Sequence, residues 1–357
     1  MKKRNGFISL LKFVFSLIVV VFHCHLIFRG TKVFLLSKRG YLAVEFFFIV
    51  SGFYYMQGIE KNEKSKKNIY LLNFENTIKR FKRFVPITLI SGILTCLIAF
   101  ILKSIKLSNV LLSIYNSILL GIVGVGYNLN VPIWYLSAII VIMFLLYPII
   151  RKNKERYIYY IAPLIIVFGL GYMYKQYPSL DLSSYLWNSL FYSGLLRCLV
   201  EINIGIIVYK FVIYFNKNLK RIKDKKFLKR LKILLQIIEI ALYLFIFAYM
   251  IFAGYKNKND YFLLLCIISA TTITLSEQTY IKKLFSYRFV YYLEKLSLYI
   301  YINQQIFITT FSILLKKYNI RYYKFVILVL IFDIIFSIVE FSIIEKIKKK
   351  YLRKSLK

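Results

Sequence analysis

The chain has 357 residues, 59% of them hydrophobic, and a mean hydropathy of +0.64. Ordinary globular chains are about 45–50% apolar, so a soluble enzyme gives way to an all-α polytopic membrane protein. The net charge of +36, from 51 basic and 15 acidic residues, would suggest nucleic acid in a soluble protein; here the Lys and Arg enrichment of cytoplasmic loops accounts for it, and no nucleic-acid partner is expected.

Eleven apolar segments follow one another, at about 7–28, 41–58, 84–103, 109–126, 132–150, 157–174, 190–213, 233–253, 261–279, 293–315 and 322–345. Each approaches the roughly 20 residues that cross a hydrocarbon core of about 30 Å. The first is too long for a signal-peptide core and lacks a small-x-small cleavage site, so it is expected to be a retained helix. Both ends are basic, and two cytoplasmic ends require an even number of crossings. If segment 109–126 stays on the outer side or re-enters, the inside collects 34 basic residues against 12 in outer loops. That asymmetry favours ten transmembrane helices plus one re-entrant or interfacial segment. Gly121, Gly124 and Gly126 make 109–126 a poor regular helix. The chain is expected to form a single membrane-embedded domain over 1–357, with the basic run at 214–232 facing membrane lipids.

Ionisable groups inside the spans are the candidates for chemistry, because they are costly there. The two histidines are His23 and His25. Lys12 precedes His23 by 11 residues, close to three turns and about 16 Å of rise, so the two share a helix face. His25 lies about 200° around the helix from His23. The second span descends, which puts Glu45 at a depth similar to His23. A carboxylate beside an imidazole suits a general base; a polar pair joining two helices is the plainer alternative. Arg80 and Arg83 are three apart at the cytoplasmic entry of the third span, where two guanidiniums either clamp a phosphate or anchor the helix. Arg197 and Glu201 are four apart in a descending span and can pair. Asp333 sits mid-span, with no partner assignable from sequence. Cys24, Cys96, Cys198 and Cys266 all fall in apolar segments without metal-ligand spacing, so no metal is expected. Walker A, HExxH and GxSxG sequences are absent.

These residues together resemble the acyltransferase family 3 integral membrane proteins, which include bacterial O-acetyltransferases of surface polysaccharides. Lys12 and His23 match the family's basic-x10-His signature. RGYLAVEFFFIVSGFYYM is similar to its GxLGVDxFFxLSGF stretch, with Glu45 at the acidic position and Ser51-Gly52-Phe53 closing it. Arg80-Phe81-Lys82-Arg83 matches RxxR, and Trp134-Tyr135-Leu136 resembles the WYL segment. LLRCLVEINIGIIVY carries Arg197 and Gly205 at recurrent positions. SLYIYINQQIF resembles SYxxYLxH, and IIEK around Glu345 the usual ending. Three positions depart from the pattern: Gln304 stands where many relatives have histidine, Leu298 replaces a common Tyr, and Glu45 replaces the commoner Asp.

The resemblance implies transfer of an acyl group, acetyl above all, from cytoplasmic acyl-CoA to a hydroxyl of an envelope or extracellular glycan, free or lipid-linked. It places the chain in the bacterial inner membrane. Lys12, Arg80 and Arg83 would bind the donor's phosphates. His23 would act as base or transient acyl carrier, Glu45 would orient it, and Arg197, Ser51 and Gln304 would contact substrate or oxyanion. A transporter or flippase of a lipid-linked glycan is the second functional class.

Overall fold

The structure is a computed structural model that describes residues 5–28, 37–102, 105–123, 129–182, 192–254, 257–281, 285, 287–318 and 320–355. Among these there is no β-strand. The described residues form eleven helices in chain order: α1 Gly6–Ile27, α2 Ala43–Lys61 (entered through a 3-10 turn at Gly40–Leu42), α3 Ile69–Ile101, α4 Leu107–Ser117, α5 Ile133–Lys152, α6 Lys154–Gln176, α7 Ser193–Leu219, α8 Lys225–Phe252, α9 Asp260–Ser276, α10 Arg288–Tyr318 and α11 Tyr322–Ser355. Nine of the described helices are long and apolar enough to cross a bilayer, and α9, with 17 residues, is a shorter apolar tenth. The chain is a multi-pass membrane protein. Ten crossings put residues 5 and 355 on one side, the cytoplasmic side by the distribution of Lys and Arg.

The disputed segment does not form a spanning helix. Helix α4 has 11 residues, about 16 Å of rise, and a 3-10 turn at Gly121–Val123 follows it; Gly124 and Gly126 lie outside the described residues. Non-helical backbone at membrane depth must be satisfied by protein, and side chains of the neighbouring helices do this. Thr88 donates to the Ser117 carbonyl at 2.7 Å, Ser137 to the Leu119 carbonyl, and Asn116 to the Asn130 carbonyl at 3.2 Å. The Asn130 amide bridges Ser91 Oγ at 2.8 Å and the Ile302 carbonyl at 3.2 Å. The segment is thereby fastened to α3, α5 and α10.

Two expected cytoplasmic loops are mostly helix. Asn68 caps α3 by accepting from the amides of Tyr70 and Leu71, and Asp224 caps α8 through Lys226 and Phe227. Each cap starts the helix well before its apolar stretch, so the expected loop 58–83 shrinks to 62–68 and 214–232 to 220–224. Charged residues keep a segment out of the hydrocarbon without keeping it out of a helix, since Lys, Arg and Glu are good helix formers. Arg80 and Arg83 therefore stand on the continuous helix α3.

The core is organised around α2 and α7, which make the most extensive helix contact in the bundle. Their backbones meet at Gly52 and Gly205. A Cβ on Gly52 would lie 2.3 Å from the Ile202 carbonyl oxygen, and one on Gly205 would lie 2.2 Å from that of Ile49. Small residues at such crossings let helices pack where lipid supplies no hydrophobic drive for association. Around this pair, α1 packs on α10 and α10 on α11, while α6 and α8 turn most of their surface outward.

Gly205→Leu is expected to force α2 and α7 apart and destabilise the fold by about 1–3 kcal/mol. Thermal unfolding in detergent checks this, with Gly58→Leu, where a Cβ meets nothing within 4 Å, as the neutral comparison.

Candidate active site

Two cavities sit on either side of an aromatic wall. The inner one, about 480 Å³, is lined by Lys12, Lys79, Arg80, Arg83, Ser51 and Glu294 among others. The outer one, about 210 Å³, is lined by His23, Tyr41, Trp134, Asp181, Arg197 and Tyr301 among others. Lys12, Arg80 and Arg83 share one space, and His23 and Arg197 share another.

In the inner cavity, Lys79 and Arg83 are exposed and Arg80 is half-buried. Lys12 is paired with Glu294, Nζ to Oε1 at 2.6 Å, and Ser9 donates to the other carboxylate oxygen at 2.7 Å. Arg80 lies over the Tyr55 ring at 5.4 Å, and its buried Nη1 has no hydrogen-bond partner among the described residues. Arg83 lies over the Phe84 ring at 5.5 Å. Four cations against one carboxylate make this cavity an anion site in electrostatic terms. Ser51 lies 3.4 Å from the Tyr135 hydroxyl on the same cavity wall.

In the outer cavity, His23 Nδ1 lies 2.8 Å from the side-chain oxygen of Gln304. The Gln304 amide nitrogen donates to the Tyr301 carbonyl at 2.6 Å, which fixes the amide's orientation. Its oxygen therefore accepts, so Nδ1 carries the proton and a neutral His23 keeps Nε2 as an acceptor. Gln304 thus fixes the tautomer of His23, the task expected of Glu45.

Glu45 is elsewhere. It is fully buried and grips Arg197, Nη2 to Oε1 at 2.6 Å and Nε to Oε2 at 3.3 Å. Arg197 Nε also reaches Glu201 at 3.3 Å, while Nη1 donates to the Leu182 carbonyl at 3.1 Å and Nη2 to that of Tyr41 at 3.0 Å. The expected contact of His23 with Glu45 is thus replaced by two separate pairs. Equal depth was legible from spacing, but the direction in which each helix turns its side chains was not. The expected pairing of Arg197 with Glu201 is present, with Glu45 as the stronger partner.

Three lining residues, Lys79, Glu294 and Asp181, escaped the sequence reading. Glu294 is a lone acid in a basic region, the one signal that could have suggested a partner for Lys12. Asp181 comes from the stretch before α7. Tyr301 borders both cavities. Asp333, left without a partner by the sequence, accepts from Ser337 at 3.3 Å; nearby, Asn303 donates to Ser337 at 3.2 Å and to Glu340 at 2.6 Å.

Comparison with curated proteins and with solved structures returned no match. A family model described as an acyltransferase domain matches residues 5–340. That match takes in the helix of His23, the paired cavities and the Arg197 cluster, and extends into α11: the chain belongs to acyltransferase family 3 and is a membrane acyltransferase.

Proposed function

We propose that the protein transfers an acyl group, acetyl by preference, from cytoplasmic acyl-CoA to a hydroxyl of an envelope or extracellular glycan, free or lipid-linked, in the bacterial inner membrane. The observation that carries this reading is the pairing of a cationic inner cavity with an outer cavity holding an imidazole of fixed tautomer. The phosphates of coenzyme A fit the inner cavity by charge. Arg80, with its unpartnered Nη1, and the exposed Arg83 and Lys79 would hold them through charge-assisted hydrogen bonds. Lys12, held by Glu294, would contribute less, because one carboxylate already neutralises it.

In the proposed reaction His23 Nε2 removes the proton of the acceptor hydroxyl as its oxygen attacks the thioester carbonyl. A C–O bond forms, the C–S bond breaks, and the coenzyme A thiolate takes up a proton on the cytoplasmic side. The proton on His23 leaves to the outer solvent. Gln304 keeps Nδ1 protonated throughout, so Nε2 stays available. Among the described residues Arg197 has one Nη1 hydrogen beyond its four bonded ones and lines the same cavity, which suits it to stabilise the developing oxyanion. Glu45 then acts on Arg197 rather than on His23. Ser51, beside Tyr135 in the inner cavity, is positioned for the donor and not for the acceptor.

Three outcomes test this reading. His23→Ala is expected to lower acetyl incorporation from labelled acetyl-CoA into membrane glycans by about 10²–10⁴-fold with insertion unchanged; full incorporation would exclude His23 as the base. Gln304→Leu is expected to lower kcat about tenfold with the donor KM unchanged, because the wrong tautomer becomes accessible. Arg80→Ala is expected to raise the donor KM by about 10–100-fold, the loss of one or two charge-assisted bonds at about 1.5–3 kcal/mol, while the acceptor KM holds; a loss confined to expression would leave Arg80 as an anchor.

A further inference from the structure

The two cavities share one lining residue, Tyr301. The residue is 5% exposed, and its ring packs edge-on against Tyr135, ring centroids 5.6 Å apart, and against Phe47 at 6.1 Å. Phe47 and Tyr135 in turn stand 6.0 Å apart, so three rings close on one another. Tyr135 and Phe47 line the inner cavity, while Trp134, next in the chain to Tyr135, lines the outer one. The wall is therefore one aromatic layer thick. It is also hinged to the site, because the Tyr301 carbonyl receives the Gln304 amide that orients His23.

We propose that Tyr301 is the specificity-determining residue of the transfer, a removable wall past which the acyl group must move to meet the acceptor and whose bulk restricts that group to a short chain. This rests on the assignment of donor and acceptor to the inner and outer cavities. With Tyr301 in place, a thioester held in the inner cavity is screened from the outer one, so outer water does not reach it. An acyl group of two carbons passes with a small rotation of the ring. A longer chain has to displace the packing against Tyr135 and Phe47, which close contacts between well-packed aromatic rings resist.

Shortening the side chain merges the two spaces. Tyr301→Ala is expected to bring butyryl- and hexanoyl-CoA into use beside acetyl-CoA. It is also expected to raise, tenfold or more, the release of coenzyme A thiol from acetyl-CoA without an acceptor, since water then replaces the hydroxyl and yields the free acid and the thiol. Tyr301→Phe keeps the ring and is expected to keep the wild-type chain-length preference. A wild-type preference and wild-type thiol release in Tyr301→Ala would overturn the proposal.

A second measurement does not depend on activity. Tyr301→Cys, in sealed vesicles of known orientation, is treated from either face with a charged, membrane-impermeant thiol reagent, and labelling above that of the parent chain is scored; the four native cysteines are buried. Reaction from both faces is expected. Reaction from one face only, or from neither, would overturn the wall. Labelling from both faces with no use of any acyl-CoA would leave the wall standing and fail the donor assignment instead.

Discussion

The contact of Gly52 with Gly205 sets what the rest of the bundle can do. It lets α2 and α7 approach backbone to backbone, and two turns toward the outer side the same approach brings Glu45 onto Arg197. A guanidinium with no exposure to water is expensive, at several kcal/mol even after relaxation. Here Glu45 and Glu201 offset its charge, and two backbone carbonyls take further hydrogens. Those carbonyls belong to Tyr41 and Leu182, which both line the outer cavity. One close crossing therefore fixes an ion cluster, and the ion cluster fixes the walls around His23.

A second buried cluster closes the same end of the molecule. Arg39 pairs with Asp260 and also donates to the Gly254 carbonyl and the Tyr249 hydroxyl. Tyr41 donates to the other Asp260 oxygen at 2.5 Å, and the Leu180 amide joins it at 3.1 Å. The turn before α2, the end of α8, the start of α9 and the segment after α6 are thus tied through one carboxylate. Polar groups removed from both water and lipid have few alternative partners, so such a network specifies one arrangement. The outer cavity is bordered by Arg197 bonds on one side and shares Tyr41 with this network on the other.

Much of the fold was written in charge and hydropathy. The parity of the loops identified ten crossings and one segment that does not span, because the cost of carrying Lys and Arg outward is a sum over the whole chain. Helix ends were less legible: Asn68 and Asp224 cap helices that run on past the membrane, and a hydropathy window sees only the apolar part. Within the site, spacing along α1 assigned Lys12 and His23 to different levels, and the two residues line different cavities. It could not give azimuth. Whether Glu45 faces His23 or Arg197 depends on the rotation of α2 against α7, which the glycine contact decides, and Gln304 reaches His23 from a helix 281 residues further on. Tyr301 stands at the second Tyr of the SYxxYLxH-like segment, but a motif position carries no geometry, and its place on a wall exists only once α2, α5 and α10 have met.

Helix α9 has 17 residues, about 26 Å of rise, beneath a hydrocarbon core of about 30 Å. Phe262 and Leu265 are exposed along it, so lipid must meet this short helix directly. A span shorter than the bilayer draws the surrounding acyl chains inward. A helix of this length matches the hydrocarbon only where the bilayer thins beside it or polar groups at its ends reach out to the headgroups.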